Sequence, residues 1–218
     1  MLLARGNGDN MRIIEPSITI ESTMTQEEAM NLIERAGRVC YKSEGRIVDG
    51  SAQQFIRNIL GRGHESVIEH ISITVRVICD RGVTHEIVRH RIASYSQEST
   101  RYCNYTQEKF SNEITVIKPM FWESDSQEYK LWEEGMRACE EAYFALIEAG
   151  AKPQEARSVL PNSLKTEIVM TMNFREWRHF FKLRCSTAAH PQMQQVANLI
   201  FEQFKDRFPL FVEDIVIK

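Results

Sequence analysis

The strongest constraint on the fold is the alternation of apolar and polar residues between His70 and Cys79. Successive side chains of a β-strand point to opposite faces, so an alternation with a period of two residues is typical of a strand buried on one side. The sequence therefore predicts a half-buried strand here. Its apolar face holds Ile71, Ile73, Val75, Val77 and Cys79, and its polar face holds His70, Ser72, Thr74 and Arg76.

Other segments predict further strands and several helices. Met11–Ile20 reads as a strand that Pro16 interrupts, which suits an edge, and Ser163–Met172 reads as another strand. Helices are predicted where apolar residues recur every three or four positions. The first predicted helix follows an N-cap at Thr25, and the second follows an N-cap at Asp49 or Ser51. Two more cover Gly82–Arg89 and Asp125–Ala149, and a short one is closed by Pro161. The last two run from the N-cap Asn173 to Arg184 and onward from Pro191. The first helix is predicted to carry Ala29, Leu32, Ile33, Ala36 and Cys40 on one face.

Length and composition favour one globular domain. The chain has 218 residues, of which 43% are hydrophobic and 26% are charged, values close to those of ordinary globular proteins. We therefore predict a single compact α+β domain over residues 1–218, with a modest, mostly antiparallel sheet flanked by helices. Residues 1–10 are expected to form a flexible leader.

Charge and cysteine usage narrow the class of function. Lys plus Arg number 27 and Asp plus Glu number 30, a near balance that disfavours a nucleic-acid-binding surface. The five cysteines are scattered without a CxxC pair, which argues against a disulfide framework and a zinc site and favours the cytoplasm. No apolar run approaches the roughly 20 residues that span a bilayer, so neither a membrane nor export is expected.

A dense polar cluster between Thr84 and Arg101 is the main candidate for chemistry. Arg89, Arg91 and Arg101 carry permanently charged, planar side chains that suit phosphate or carboxylate oxygens, and Ser99 could add a neutral donor. The segment is therefore interpreted as an anion-binding loop. A structural arginine cluster paired to Glu86 and Glu98 is the alternative.

The segment Arg89–Tyr102, RHRIASYSQESTRY, contains RHR followed by seven residues and a serine, then RY, with HE shortly before it. HESVIEHISITV, ARSVLP, NFREWRHFFKLRC and AAHPQM occur elsewhere in the chain. Together these motifs resemble the flavin-dependent thymidylate synthase family, and they span most of the sequence. The resemblance implies a non-Rossmann fold, which agrees with the lack of a GxGxxG motif, and a homotetramer with active sites shared between subunits.

The resemblance also implies a reaction and its binding residues. FAD is the expected cofactor, NADPH the reductant and 5,10-methylenetetrahydrofolate the one-carbon donor, and dUMP is converted to dTMP without a metal. The residues expected to bind dUMP are Glu86, Arg89, Gln97, Glu98, Ser99, Thr100, Arg101, Arg157 from another subunit, and Arg184. Those expected to bind FAD are His70, Ser72, Arg89, His90, Arg91, Ile92, Gln97, Asn173, Arg175, His179 and His190. In the family, positions 86 and 97 can each be an acid or its amide, and the spacing between positions 184 and 190 varies.

Arg184 is the expected catalytic residue, because a permanent cation near N3 and O4 of the pyrimidine would favour its ionised form and make C5 nucleophilic. A covalent route through Cys103 or Ser99 must be considered, but no general base is evident for either residue. Each binding residue also has a plainer interpretation: His70 as an ordinary strand histidine, Arg157 and Arg175 as surface ion pairs, and Arg184 as a cation favoured at a helix C-terminus.

Two other functions are less favoured. A metal-dependent nuclease or phosphatase could use His64, His70, His85 and His90, but these residues lack HExxH spacing and grouped acidic ligands. An RNA-binding module could use the arginines and tyrosines of the RHR segment, although the near-neutral charge balance disfavours it.

Overall fold

The computed structural model describes residues 11–107 and 112–217, so the expected leader lies outside the described residues. The strands are β1 (Arg12–Ile14), β2 (Ser17–Ile20), β3 (Ser72–Asp80), β4 (Ser94–Gln97), β5 (Thr115–Ile117) and β6 (Lys165–Asn173). The α-helices are α1 (Gln26–Val39), α2 (Ser51–Gly61), α3 (Arg81–Ile87), α4 (Gln127–Glu148), α5 (Pro153–Ala156), α6 (Phe174–Arg184) and α7 (Pro191–Arg207). Turns of 3₁₀-helix cover Glu44–Arg46, Glu65–His70, Arg157–Val159 and Pro209–Phe211.

The predicted α+β class is confirmed. A four-stranded antiparallel sheet has the order β2-β3-β6-β4, and β1 pairs with β5 in a separate parallel ribbon that aligns Ile13 with Val116. The chain forms two compact units. The first unit contains the described parts of Met1–Pro16, Ile78–His85 and Gln97–Ile168, and the second contains Ser17–Val77, Glu86–Ser96 and the described part of Val169–Lys218. Each unit therefore draws on three separate stretches of sequence.

The alternating segment forms β3 as predicted. Residues on its apolar face from Ile73 to Cys79 are fully buried, whereas its polar face is partly exposed. His70 is an exception to the prediction, because it ends the 3₁₀ turn Glu65–His70 and lies outside the strand. Pro16 separates β1 from β2, and β2 lies at an edge of the sheet, as its proline predicted.

The first helix starts where the sequence predicts. The Thr25 hydroxyl accepts a hydrogen bond from the Glu28 N–H at 3.2 Å, and the Glu28 carboxylate accepts one from the Thr25 N–H at 2.8 Å, which completes a capping box. Cys40, which was predicted on the apolar face of the helix, is the exposed C-cap, because the helix ends before it. Gly37 is buried in its place.

The start of α2 differs from the prediction. Gly50 is the N-cap, with a φ of 75° that favours glycine, and neither Asp49 nor Ser51 takes this position. Ser51 is the first helical residue, and its hydroxyl donates to the buried Glu34 carboxylate at 2.8–2.9 Å. Arg38 also binds Glu34, at 2.6 Å, so the buried acid is paired on two sides.

Aromatic packing builds the core of the second unit around α6 and α7. Phe174 stacks on Phe211 with ring centroids 4.1 Å apart, and Trp177 contacts Phe181 and Phe204. The predicted inward face of α7 is confirmed, since Met193, Val196, Ala197, Ile200 and Phe204 are all buried. This packing fixes the inner face of α6 and leaves its opposite face available for polar side chains.

The first unit has its own core beside α4. Tyr143 and Phe144 of α4 pack with Val116 and Leu164. The strand that contains Val116, β5, was not predicted, because its three residues are too few to show an alternation. Within the described residues, no helix combines the length and apolarity that a membrane crossing requires.

Gly37 and Gly135 make a matched test of this packing. A Cβ at Gly37 would lie 2.6 Å from Phe55 Cζ and 2.9 Å from Val67 Cγ1, whereas one at Gly135 in α4 would meet nothing within 4 Å. Gly37→Ala should therefore lower the free energy of unfolding by about 1–3 kcal/mol, because the clash outweighs the gain in helix propensity. Gly135→Ala should raise it by up to about 1 kcal/mol. Urea unfolding measures both, and equal stabilisation by the two variants would contradict the packing at Gly37.

Candidate active site

The site in the second unit is organised by α6. The Asn173 side chain accepts a hydrogen bond from the Glu176 N–H at 2.9 Å, so Asn173 is the N-cap that the sequence predicted. Glu176 and His179 are three residues apart and therefore lie on neighbouring positions of one helix face. Arg184 is the last residue of the same helix, so a single rigid element positions all three side chains.

His90 is the buried centre of this site, with 3% of its surface exposed. Its Nδ1 lies 2.9 Å from Glu176 Oε1, and its Nε2 lies 3.1 Å from the Nε of Arg184. An arginine N–H can only donate, so Nε2 must be an acceptor and the ring proton of neutral His90 must lie on Nδ1. Burial and the Arg184 cation hold the pKa of His90 below its ordinary value of 6.5, and the Glu176 hydrogen bond opposes this shift.

Arg184 is held on three sides. Its Nε donates to His90, its Nη1 donates to Glu86 Oε2 at 2.7 Å, and its Nη2 donates to the Glu86 backbone carbonyl at 3.0 Å. A guanidinium has five N–H groups, so these contacts with described residues leave one N–H on each terminal nitrogen for a ligand. The side chain is 14% exposed, which means that the cation is oriented by the protein and still accessible.

Tyr95 supports the loop that carries His90. Its hydroxyl lies 2.6 Å from the His90 carbonyl and 2.9 Å from the Ile87 carbonyl, and it can donate to either. Burial raises the pKa of Tyr95 to about 12, so the hydroxyl stays protonated and remains a donor at neutral pH. The backbone of His90 is therefore fixed independently of its ring.

A cleft of about 470 Å³ lies beside these residues. Four of its lining residues, Ile92, Asn173, Arg175 and His179, were expected to bind FAD. The others are Glu65, Glu69, Glu176 and Lys182. Arg175 pairs with Glu69 at 2.6 Å, and both side chains are largely exposed. The surface ion pair considered for Arg175 is thus present, and it lies in the wall of the cleft.

The remaining expected residues of the second unit lie at its surface. His70, Ser72, Arg89, Arg91 and His190 are all exposed. Among the described residues, Arg89 and Arg91 have no side-chain hydrogen bond or ion pair, and Glu86 is paired with Arg184 instead. The alternative in which Glu86 neutralises the arginines of the RHR segment is therefore wrong for Arg89 and Arg91, whose charges remain available to an anion.

The first unit holds the other part of the RHR segment. Gln97 donates to the hydroxyls of Thr84 at 3.1 Å and Thr166 at 3.3 Å. Glu98 pairs with Lys165 at 2.8 Å and accepts a hydrogen bond from Tyr105 at 3.2 Å. Glu98 therefore has its own cation, and the structure does not pair it with Arg101.

Ser99 and Thr100 are both hydrogen-bond acceptors in this unit. The Ser99 hydroxyl accepts from the backbone N–H of Arg101 at 3.3 Å, and the Thr100 hydroxyl accepts from the Arg157 guanidinium at 3.5 Å. Arg101 and Arg157 are exposed, so both can reach a ligand. Within the described part of the chain, no histidine or carboxylate accepts a hydrogen bond from Ser99, which supports a binding role over a nucleophilic one.

Within the described residues, one group of side chains is compact enough to resemble a metal site. Ligand atoms of His90, Glu176 and His179 lie within 4.8 Å of one another. Both ring nitrogens of His90 already have partners, however, so a metal at Nδ1 would leave His90 without a proton on either nitrogen. The described residues also do not group His64, His70 or His85 with His90, as the nuclease alternative requires. The arrangement is a hydrogen-bonded network.

Sequence reasoning missed several residues of these clusters. Glu176, which contacts His90, lies three residues after the predicted N-cap Asn173 and three before the predicted ligand residue His179. Residues three apart in a helix lie on neighbouring positions of one face, so this spacing could have indicated that Glu176 lies beside His179. Glu65, Glu69 and Lys182 of the cleft and Lys165 beside Glu98 carried no such signal, because their partners are distant in sequence.

Taken together, these contacts define a non-Rossmann α+β enzyme with an arginine-centred site. The family described as "Thymidylate synthase complementing protein" matches residues 20–210 of the chain. A flavin-dependent thymidylate synthase of Geobacter sulfurreducens is 35% identical over 202 residues, which cover 89% of this chain and 84% of the relative. That of Pyrococcus furiosus is 37% identical over 177 residues, with 81% and 72% covered. The chain belongs to the family of flavin-dependent thymidylate synthases.

The lowered pKa of His90 predicts how stability depends on pH. Because folded His90 binds its second proton less readily than unfolded His90, the unfolded state takes up more protons as the pH falls below about 6.5. The free energy of unfolding should therefore decrease between pH 7.5 and pH 5.5. His90→Asn should reduce this slope, which urea unfolding at several pH values measures. If the free energy of unfolding changed equally with pH in the wild-type protein and in His90→Asn, the conclusion that folded His90 resists a second proton would be contradicted.

Proposed function

We propose that this chain converts dUMP to dTMP by reductive methylation, with FAD as its cofactor. In the proposed reaction, 5,10-methylenetetrahydrofolate donates the one-carbon unit, and NADPH supplies, through the flavin, the hydride that completes the methyl group. The proton lost from C5 of the uracil and one proton taken up from solvent end on the two folate nitrogens that release the carbon. The other products are tetrahydrofolate and NADP⁺. Family membership and the names of the relatives support this reaction. The observation that carries it at the site is the fixed and accessible guanidinium of Arg184.

Arg184 is the proposed activating residue. Three of its N–H groups are committed to Glu86 and His90, so the two left over point in directions set by the protein. Such a fork can donate to two neighbouring acceptors of a pyrimidine, its O4 carbonyl and an ionised N3. Donation to both stabilises negative charge on the ring, which increases electron density at C5. The substrate is thus activated without a bond to the enzyme.

Each of the two units contains residues that are proposed to bind dUMP. In the second unit they are Glu86, Arg89 and Arg184, and in the first they are Gln97, Glu98, Ser99, Thr100, Arg101 and Arg157. The exposed Arg89, Arg101 and Arg157 suit the phosphate, because arginine presents two parallel donors to phosphate oxygens. Arg157 is proposed to act in the site of another subunit.

The cleft of the second unit fits part of a flavin dinucleotide. Its volume of about 470 Å³ lies within the usual range for ligand sites. Ile92 offers an apolar surface, and Asn173 and His179 offer polar groups for ring carbonyls. Two of the three cleft carboxylates are paired with arginines, Glu65 with Arg178 and Glu69 with Arg175, and the third, Glu176, accepts the hydrogen bond of neutral His90. Bound FAD would supply the transfer of two electrons from NADPH to the one-carbon unit.

Further FAD contacts are proposed at the surface of the second unit and at one residue of the first. Arg89, Arg91 and Arg175 are cations that suit the pyrophosphate. His90 is hydrogen-bonded to the cleft residue Glu176, and it is proposed to support the part of the cleft that binds the flavin ring. The remaining proposed contacts are His70, Ser72, Gln97 and His190.

Two of the five cysteines are unsuited to a covalent route. Burial raises the pKa of Cys185 to about 12 and raises the pKa of Cys79 further, so neither forms a thiolate at neutral pH. Ser99 lacks a base among the described residues, and Cys103 is only partly exposed. Activation by Arg184 needs no nucleophile, which agrees with these environments.

We also propose a homotetramer that shares its active sites between subunits, located in the cytoplasm. All five cysteines are free, as expected in a reducing compartment. The exposed Arg157 supports a shared site, because its side chain is accessible to a neighbouring subunit.

The reaction can be tested with the purified protein. It should be yellow or take up added FAD, and it should oxidise NADPH and form dTMP when both dUMP and 5,10-methylenetetrahydrofolate are present. Visible absorption and chromatographic detection of dTMP measure these properties. A protein that binds no FAD at micromolar concentration and forms no dTMP would contradict the proposal.

Replacement of the Arg184 guanidinium should slow the chemical step while FAD stays bound. Lysine keeps the charge but has one nitrogen, so Arg184→Lys cannot hold Glu86 and His90 and still present two donors to the substrate. We expect FAD to remain bound and kcat to fall by about 100-fold or more. Arg57→Lys, in the exposed pair with Glu213, is the matched control and should keep normal turnover. Near-normal kcat for Arg184→Lys would rule out activation by the fork.

A further inference from the structure

We infer that Glu176 is a positioning residue, whose carboxylate fixes the tautomer of His90 and through it the orientation of Arg184. The effect on catalysis rests on the proposed function of Arg184, but the control of the tautomer does not. Glu176 is not among the expected ligand residues, and its carboxylate does not take part in a capping box. It points at His90 Nδ1 from a distance of 2.9 Å.

Only one protonation state of His90 satisfies both neighbours. With the proton on Nδ1, the ring donates to Glu176 and accepts from Arg184. With the proton on Nε2, two N–H donors would face each other at Arg184, and the Nδ1 lone pair would face a carboxylate. With both nitrogens protonated, the ring would place a second cation against the guanidinium. The geometry therefore requires the neutral Nδ1–H form.

Burial makes this choice strict. His90 is 3% and Glu176 is 8% exposed, so water has little access to a donor or acceptor that lacks a protein partner. A buried polar group without a partner is costly, and a buried charge without one more so. His179 and the ring of Phe180 cover other sides of the imidazole, with centroids 5.5 Å and 5.0 Å from its own. Glu176 is thus the acceptor that selects the Nδ1 proton.

The tautomer in turn sets the direction of the guanidinium. His90 Nε2 holds Arg184 at Nε, and Glu86 holds it at the two terminal nitrogens, so the planar group is fixed at three points. Loss of the Nε2 acceptor would leave Glu86 as its remaining partner among the described residues, and the plane could then turn. A misdirected fork would weaken the transition state more than substrate binding.

The histidine tautomers can be read by ¹⁵N NMR of the side chains at pH 8. Wild-type His90 should carry its proton on Nδ1. Arg184→Met should keep this tautomer, because the carboxylate is intact. In the Arg184→Met background, where no guanidinium opposes a proton on Nε2, Glu176→Gln should give a substantial Nε2–H population, since an amide can either donate or accept. The Nε2–H form in the wild-type protein, or a pure Nδ1–H form in the Arg184→Met, Glu176→Gln double variant, would overturn the inference.

Steady-state kinetics supply the second readout. Glu176→Gln should lower kcat by about 10- to 100-fold and change KM for dUMP by less than about threefold. Glu202→Gln, an exposed acid on α7 paired with Lys205, is the matched control and should keep wild-type kcat. Unchanged kcat in Glu176→Gln would overturn the positioning role. If wild-type protein forms no dTMP, the proposed function fails, and the NMR result still decides whether Glu176 controls the tautomer.

Discussion

The hydrogen bond from the Arg184 guanidinium to the neutral ring of His90 is the contact on which the site depends. A cation next to an imidazole is favourable only if the imidazole stays neutral and offers a lone pair. Two carboxylates make this possible. Glu176 accepts a hydrogen bond from the Nδ1–H of the ring on one side, and Glu86 balances the charge of the guanidinium on the other. The four groups form a line in which every close contact joins a donor to an acceptor, so removal of one member affects the others.

Helix α6 gives this line its rigidity, and a second buried arginine holds the helix. Arg178 is 2% exposed, and its guanidinium binds Asp214 through two nitrogens at 2.6 Å and 2.7 Å and also binds Glu65 and the Phe211 carbonyl. Its hydrogen bonds hold the pKa of Asp214 below the usual range. Such a fully paired buried cation ties the C-terminal residues and the 3₁₀ turn Glu65–His70 to one face of α6. The same turn contributes two residues to the cleft.

Arginines occupy two different environments in this protein, and the difference matches two tasks. Arg178 and Arg184 are largely buried and held by several partners, which suits roles that need a fixed direction. Arg89, Arg91, Arg101 and Arg157 are exposed, which suits capture of an anionic ligand. The proposed binding and activating roles can thus use the same residue type, because burial and partners decide how freely each guanidinium moves.

The sequence by itself determined the strand β3, the caps at Thr25 and Asn173, the helices α1, α6 and α7, and the resemblance that led to the family, since these depend on local periodicity and short motifs. It did not reveal β5, the Gly50 cap or the 3₁₀ position of His70. The contacts of Glu176 with His90 and of Glu86 with Arg184 join residues 86 and 98 positions apart in the chain. Only the tertiary structure could decide them, because a pattern of residue types does not specify which donor meets which acceptor once distant segments pack together.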